Sequence, residues 1–261
     1  MLNNLNSKPL ASRQRLDKIS HHFLGGSSAI SCNKRSPIFL PVLIDDKNHK
    51  RLALKLNDEL IKTGHSSCIV NTSDIYDNLK DNGFFTGDEC WLSPFGDINN
   101  HNIRNYAFNI TRKYILNKQK EDIYLLPYTF NQSFVPVLFG KAIIIIASTL
   151  DEIRSAYGDI KNLNKYGVKS IDIIMTYSDN SNAASRCFSK LNEGVKRFLQ
   201  FNIHNTGYIK IEKHPASGGK NLNITDSEIR EITSTMTNRW QLTEKQQAYT
   251  QSKNGHAEQT E

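Results

Sequence analysis

Two adjacent carboxylates follow the first long apolar run of the sequence, and they are the first residues whose types suggest chemistry. The run is Ile38–Ile44, and Asp45 and Asp46 come directly after it, before the basic stretch Lys47–Arg51. Because sites in α/β proteins lie at the carboxyl ends of strands, this pair could act as an acid and a base. A solvated polar loop in front of a helix explains the same residues, and it is the interpretation that we favour.

Two other stretches resemble ligand-binding motifs without matching them. Pro215–Asn221 contains a Gly-Gly-Lys sequence between an expected strand and an expected helix, which resembles a phosphate loop. It lacks the first glycine of the P-loop spacing and has Asn221 where serine or threonine would bind magnesium, so we interpret it as a flexible connection. His21, His22 and His101 have no acidic residue or cysteine at metal-ligand spacing, so no metal site is predicted.

The second half of the chain alternates between strand and helix patterns. Three stretches have a strand pattern: Ala142–Ser148, Ser170–Met175 and Asn205–Ile211. Between them we expect two amphipathic helices, one capped by Thr149 and ending before Gly167, and one over residues 182–200. The predicted apolar stripe of the second helix is Ala183, Cys187, Phe188, Leu191, Val195, Phe198 and Leu199. Two βαβ crossovers of this kind predict parallel strands with helices packed on the faces of the sheet.

The rest of the chain is expected to continue this pattern. Strands are predicted at Ile38–Ile44, Ser66–Asn71 and Asp122–Pro127, and helices at Lys50–Thr63, Asn102–Leu116 and Asp226–Arg239, the last capped by Thr225. Pro41 is unfavourable in a central strand because it has no backbone N–H to donate. The residues expected to be buried include Ile61, Ile103 and Tyr106. The predicted fold class is therefore α/β, with a mainly parallel sheet flanked by helices.

The distribution of charge divides the chain of 261 residues, whose net charge is +7, into three parts. Residues 1–36 have six basic residues against one acidic residue, and we expect a flexible basic arm. Residues 37–240 form the expected α/β domain, which is only mildly basic. Residues 241–261 are polar and have few side chains to bury, so a disordered tail is predicted.

Several features of the sequence bear on where the protein is found. No apolar run approaches the roughly 20 residues that a transmembrane helix needs, and Met1–Leu10 is too polar for a secretory signal. The four cysteines, Cys32, Cys68, Cys90 and Cys187, are far apart and form no CxxC pair. We therefore predict reduced thiols and a cytoplasmic protein.

Within the two βαβ units, the residues themselves resemble a known family. Ser148–Lys161 reads S-T-L-D-E-I-R-S-A-Y-G-D-I-K, which is similar to the P-T-S-I-T-D-A-Y-A-L-I-K stretch of the MinD/ParA-type P-loop ATPases. Cys187–Asn192, Arg197–Leu199 and Gly207–Ile209 are similar to the F-x-K-L, R-F-L and x-G-x-I elements of that family. The chain most resembles the flagellar-number branch, FlhG/FleN. The resemblance covers residues 142–211, and over 37–141 it depends on the order of the elements.

The resemblance implies three nucleotide-binding motifs, and the sequence departs from each of them. The K-G-G-x-G-K-[ST] loop of the family would fall at Ile44–Arg51, which has no glycine, serine or threonine. The D-x-D motif would fall at Asn71–Asp74, where Asp74 alone remains, and the D-T-A-A-G switch at Pro127–Asn131, which has neither the aspartate nor the glycine. The degenerate phosphate-loop positions are Asp45, Asp46, Lys47, Asn48, His49 and Lys50, of which residues 45–49 are expected to form a polar loop. We predict no ATP hydrolysis, and neither ATP nor magnesium as a cofactor.

The predicted function is that of a catalytically degenerate MinD/ParA-like protein, similar to FlhG, that acts through protein–protein binding. The resemblance implies spatial organisation or assembly of a machine at the cell pole or envelope, such as a flagellum or pilus. The partner would be a second copy or an active MinD-like ATPase, with Asp45, Asp46, Lys50 and Arg51 as the interface. Such a protein would be cytoplasmic or peripheral at the membrane or pole, although the sequence contains no recognisable membrane-targeting helix.

Two alternatives stay open. One is an active MinD-like ATPase with an unorthodox phosphate loop. The other is a ParA-like nucleic-acid-binding protein that uses the basic arm together with Lys169, Lys190, Lys196 and Arg197. The mild charge of residues 37–240 and the lack of a motif that interleaves aromatic and basic residues count against nucleic acid as a partner.

Overall fold

The predicted strands assemble into one sheet in the computed structural model, which describes residues 37–44, 47–84, 101–129, 132–177, 180–213, 220–222 and 224–240. The strands are β1 (Ile38–Leu43), β2 (Ser67–Ile69), β3 (Ile123–Tyr128), β4 (Lys141–Ala147), β5 (Ser170–Tyr177), β6 (Ile203–Lys213) and β7 (Lys220–Leu222). Their order in the sheet is β2-β3-β1-β4-β5-β6-β7. All neighbours pair in parallel except β6 and β7, which are antiparallel. The predicted α/β class with a mainly parallel sheet is confirmed.

Seven helices connect and cover these strands in the described part of the chain. They are α1 (Lys47–Lys62), α2 (Thr72–Asp81), α3 (His101–Lys118), α4 (Phe134–Phe139), α5 (Leu150–Lys165), α6 (Ser181–Leu199) and α7 (226–240). On one face of the sheet, α1 and α7 bury Leu52, Leu56, Ile229 and Ile232 against strand residues such as Val42. The buried residues of α2 to α6 form a second core on the other face. The fold therefore has three layers, with one core on each side of the sheet.

Pro41 lies in β1, at the centre of the sheet, and the hydrogen-bond pattern explains how it is tolerated. Ile38 donates its backbone N–H to Asp122 O on the β3 side over 2.8 Å. Because alternate residues of a parallel strand donate to the same neighbour, the odd-numbered residues of β1 point their N–H groups towards β4. Among the described residues, β1 and β4 are in register at a single pair, Val42 and Ile143. The donor that Pro41 lacks therefore falls on the weakly paired side of β1.

Two helices bury most of the predicted apolar stripe but leave part of it exposed. In α1, Ile61 is 51% exposed because Glu59 and Leu60 occupy the buried positions of that turn. In α6, the predicted stripe residues Ala183 and Phe198 are exposed, because Ala184, Leu191 and Val195 occupy the buried positions and Leu199 packs against the core. The apolar type of a residue therefore does not by itself decide whether it lies on the buried side of a helix.

Two further predictions differ from the structure: the buried face of α3 and the connection after β6. In α3, Ile103 and Tyr106 are exposed, and the fully buried stripe is Ala107, Thr111 and Ile115. After β6, the predicted flexible connection is wrong at its end, because Lys220 and Asn221 belong to β7 and pair with Lys213 and Glu212 of β6. The rest of that stretch, residues 215–219, lies outside the described residues, as do the predicted arm 1–36 and the predicted tail 241–261.

Candidate functional site

The connection from β1 to α1 is the position at which the family resemblance places a phosphate loop. β1 ends at Leu43 and α1 begins at Lys47, so that three residues, Ile44, Asp45 and Asp46, join them. Ile44 still belongs to the pairing pattern of the sheet, because its N–H donates to Tyr128 O over 2.8 Å. Asp45 and Asp46 themselves lie outside the described residues.

Lys47, Asn48 and His49 belong to the first turn of α1, so the predicted polar loop over residues 45–49 is too long. The helix begins three residues earlier than predicted, since its N-terminal turn contains polar side chains that give no apolar periodicity. A P-loop sets G-x-x-x-x-G between its strand and the lysine that opens its helix. Between Leu43 and Lys47 the sequence has only three residues and no glycine, which is shorter than that run and lacks the residue type with which a P-loop surrounds a phosphate group.

The charges at this helix start are mixed. The first turn of α1 contains no acidic residue, and Lys50 and Arg51 are exposed beside it. Basic side chains are unfavourable at the positive end of a helix dipole, whereas carboxylates directly before the helix are favourable there. Aspartate is therefore a favourable residue type at positions 45 and 46, directly before this cationic helix start.

A cavity of about 200 Å³ lies beside this helix start, next to the carboxyl ends of β1, β2 and β3. Its lining consists of Ile44, Lys50, Ala53, Leu54, Ile69, Pro127, Tyr128 and Thr129. Among the described residues of this lining, Lys50 is the one charged side chain. Phosphate binding relies on several converging N–H groups and cations, so this largely apolar wall does not suit a triphosphate.

The residues at the D-x-D position have structural partners. Asn71 caps α2, and its side-chain oxygen accepts from Ser73 N over 3.2 Å. Its side-chain amide donates to Asp74 Oδ1 over 2.8 Å. Asp74 Oδ2 also pairs with Lys118 Nζ of α3 at 3.2 Å. Asp74 therefore ties the start of α2 to α3.

The segment at the switch position is held by one long-range hydrogen bond and by two local ones. Thr72 Oγ1 donates to Pro127 O over 2.7 Å. Gln132 N donates to Thr129 O over 2.8 Å, and Thr129 N donates to the Gln132 side-chain oxygen over 3.3 Å. No sequence signal predicted the role of Thr72, because its partner Pro127 is 55 residues away in another element.

The basic residues considered for nucleic-acid binding are exposed. Lys190, Lys196 and Arg197 lie on the exposed side of α6, and Lys169 is exposed between α5 and β5. Lys196 and Arg197 are in the last turn of α6, where cations suit the negative end of the helix dipole. The helix dipole thus accounts for Lys196 and Arg197 without a nucleic-acid partner. Within the described residues, no three His, Cys, Asp or Glu side chains come together in a way that could hold a metal ion.

None of the described helices combines the length and the apolar character that crossing a bilayer requires. Cys68 and Cys187 form no disulfide, while Cys32 and Cys90 lie outside the described residues.

We expect the thiol of Cys68 to resist alkylation in the folded protein. Burial, followed by the negative charge of Glu121, raises the pKa of Cys68 to about 11, and its Sγ donates to the Gln119 side-chain oxygen over 2.7 Å. Because the thiolate is the reactive form, iodoacetamide at about pH 8 should label Cys68 at least about tenfold more slowly in the folded chain than in the urea-unfolded chain. Peptide mass spectrometry follows each cysteine separately. Equal rates in the two states would contradict this environment.

The fold and the site together define the chain as an α/β protein with a mainly parallel sheet and a short, glycine-free connection at the phosphate-loop position. No protein-family model matches the chain. No curated protein matches it either.

Several solved structures are similar to the chain. The MinD cell division protein of Aquifex aeolicus has a TM-score of 0.45 and 14% identity, and the match covers 77% of this chain and 97% of that chain. A plasmid partition protein from Borrelia burgdorferi has a TM-score of 0.47 and 13% identity, over 78% of this chain and 100% of that chain. The chloroplast FtsY of Physcomitrella patens has a TM-score of 0.35 and 11% identity, over 88% of this chain and 76% of that chain. These similarities concern the fold and carry no statement about activity.

Proposed function

We propose that this chain is a catalytically silent MinD/ParA-like protein that acts by binding a protein partner. The observation that carries the proposal is the connection of three residues, without glycine, between β1 and α1. An ATPase of the resembled type needs a glycine-rich loop there to bind phosphates and a serine or threonine for magnesium. Loss of that loop removes the means of hydrolysis and leaves the surrounding surface for another use.

Two further features of the same edge of the sheet support the proposal. The switch position has Pro127 and Thr129 in place of a catalytic aspartate, and Gln132 holds this segment through its hydrogen bonds to Thr129. The neighbouring cavity has Ile44, Leu54 and Ile69 in its wall. Leu54 is also 49% exposed, which suits an apolar contact with another protein better than contact with a polyanion.

We place the partner surface at Asp45, Asp46, Lys50 and Arg51. An acidic pair beside a basic pair can meet its own copy across a two-fold axis, where each acidic group opposes a basic one. It can equally meet the lysine-bearing face of an active MinD-like ATPase. In the resembled family, such a pairing belongs to the spatial organisation of a machine such as a flagellum or pilus, and we propose that setting for this chain.

The purified protein is expected to show no rise in melting temperature with millimolar Mg-ATP and no magnesium-dependent phosphate release. A ligand present at 100 times its Kd would add about 2.7 kcal/mol to the free energy of unfolding, which differential scanning fluorimetry detects readily. A rise in melting temperature that disappears in Lys50→Ala would instead identify Lys50 as a phosphate ligand. Turnover that requires magnesium would refute the proposal.

Association through the proposed surface is expected to weaken as salt rises, and to weaken further in the double variant Asp45→Lys, Asp46→Lys. Each exposed ion pair contributes only about 0–1 kcal/mol, so the contact depends on several pairs and is easily screened. Sedimentation velocity at low and high salt, alone and with a MinD-like ATPase, measures the effect. The matched control is Asp151→Lys, Glu152→Lys, which reverses an exposed acidic pair at the start of α5. Equal losses in both double variants would exclude the β1–α1 connection as the interface.

A further inference from the structure

A second cavity, of about 290 Å³, lies between the sheet and α5 on the face opposite α1 and α7. Its lining consists of Leu43, Tyr128, Ser133, Ile144, Asp159, Asn162, Leu163 and Tyr166. The described linings of the two cavities share Tyr128 alone. The volume is close to the lower end of the range for small-molecule pockets, which begins at about 300 Å³.

The cavity lies on a face of the sheet beside the point at which the strand order changes direction. Leu43 and Ile144 belong to β1 and β4, the two neighbouring strands whose pairing is in register at one described residue pair. From β1 the chain passes through α1 to β2, which lies towards one edge of the sheet. From β4 it passes through α5 to β5, which lies towards the opposite edge. The strand order therefore reverses between β1 and β4. The cavity lies next to this switch point, between these two strands and α5.

The polarity of the lining changes from its base to its mouth. Leu43, Ile144 and Leu163 are buried, so they form an apolar base. Four polar side chains are nearer to solvent, since Asn162 is exposed and Ser133, Asp159 and Tyr166 are partly exposed, whereas Tyr128 is buried. Ser133 makes no side-chain hydrogen bond to the start of α4. An apolar base with a few polar groups at the opening is the usual composition of a small-molecule site.

The charge of the lining selects between ligand classes. Among the described residues of this lining, Asp159 is the one charged side chain, and no lysine, arginine or histidine joins it. Asp159 already has another interaction, but a carboxylate has about four lone-pair positions and can accept a further donor. A protonated amine would form a charge-assisted hydrogen bond with it, whereas a carboxylate or phosphate ligand would be repelled.

We propose that this cavity binds a small organic cation, with a compact apolar body against Leu43 and Ile144 and a protonated amine at Asp159. The body gains from leaving water, and the amine fixes its orientation at the mouth. The site is separate from the β1–α1 surface, so the proposal does not depend on the partner-binding function.

Three probes with the same phenyl body test the proposal: phenethylamine, 2-phenylethanol and phenylacetate. Ligand-observed NMR titrations on the full chain at neutral pH should give millimolar dissociation constants, because ligands this small have little surface to bury. We expect the amine to bind at least about tenfold more tightly than the acid, a difference of about 1.4 kcal/mol. Asp159→Asn should reduce the affinity of the amine to that of the alcohol. Asp151→Asn, the matched control on the same helix, has a side chain that is 95% exposed and should change nothing.

Filling the cavity with Ile144→Phe should remove the binding of all three probes. If that variant does not fold, as judged by circular dichroism, the comparison of Asp159→Asn with Asp151→Asn decides, since neither removes an apolar core side chain. The proposal is overturned if none of the probes binds, if the amine and the acid bind equally, or if binding persists in a folded Ile144→Phe protein.

Discussion

The variant Arg239→Met is expected to lose about 3–5 kcal/mol of the free energy of unfolding at neutral pH, because it leaves the Asp172 carboxylate buried without its cation. Asp172 lies in β5, and its side chain is 6% exposed. The Arg239 guanidinium of α7 forms a bidentate pair with it, in which Nη2 lies 2.9 Å from Oδ2. Thr206 Oγ1 donates a further hydrogen bond to Oδ1 over 3.1 Å. The pair thus attaches the last helix to the sheet.

The loss in Arg239→Met should depend on pH, and the sign follows from the pKa of Asp172. Burial raises this pKa, while the Arg239 guanidinium and the Thr206 hydroxyl oppose the rise. Without the guanidinium the pKa of the folded state rises further above that of the unfolded chain. The folded state of the variant then binds the proton of Asp172 more tightly than the unfolded chain does. The stability that this protonation supplies is present at low pH and is lost as the pH rises through the folded-state pKa of Asp172. The deficit against wild type should therefore be smaller at about pH 5 than at about pH 7.5.

Urea unfolding at the two pH values measures this effect. Asp172→Asn combined with Arg239→Met removes the buried charge, and should recover much of the loss at neutral pH together with its pH dependence. The control Arg154→Met removes an arginine that is 71% exposed and pairs with Asp151 at 3.6 Å, and should cost about 0–1 kcal/mol. A loss of less than about 1 kcal/mol in Arg239→Met would show that the pair is not a structural anchor.

Gly207→Ala is expected to lose about 2–4 kcal/mol, because the added methyl group has no room and the backbone does not suit it. Gly207 lies in β6 with a φ of 152°, and a Cβ placed there would be 2.5 Å from Ile232 Cγ1 of α7. Ile232 is fully buried, so it has little freedom to move aside. The register of β5 and β6 shifts between Ile173 and Ile174 in the same place, and glycine is common at such irregularities in a strand.

A double-mutant cycle separates the two causes. In an Ile232→Ala background the methyl clash is relieved, so Gly207→Ala should cost less than in the wild type, and the remainder reports the backbone term. Gly158→Ala is the matched control, since a Cβ on that helical glycine of α5 meets nothing within 4 Å. It should be neutral or stabilising by up to about 1 kcal/mol through helix propensity. Equal costs of Gly207→Ala in both backgrounds would contradict the clash with Ile232.

Several features of the fold could be predicted because they depend on neighbours in the sequence. Thr149 caps α5 and accepts from Glu152 N, as its position before an acidic first turn indicates. Thr225 caps α7 in the same way, with Glu228 completing a capping box through its bond to Thr225 N. The apolar runs of β3, β4 and β5 could be assigned as strands for a similar reason, since a fully buried parallel strand is apolar on both faces. α4 was missed because a buried helix of six residues has no periodicity to distinguish it.

For the candidate site, too, some features could be predicted from the sequence and others depend on the tertiary structure. The absence of glycine, serine and threonine between Ile44 and Arg51 is a property of the sequence, and it predicts the loss of a P-loop by itself. The length of the connection, three residues, depends on where β1 ends and where α1 begins. The cavities depend on which side chains from distant elements come together. No local pattern contains that information.

By itself, then, the sequence determined the alternation of strands and helices, their caps and the missing phosphate loop, because each rests on interactions within a few residues. Tertiary structure alone decided that Asp172 meets Arg239, 67 residues away, that Gly207 lies against Ile232, and that a cavity opens between Leu43 and Ile144. Burial and charge pairing are properties of atoms from separate segments, so they exist only once the sheet has brought those segments together.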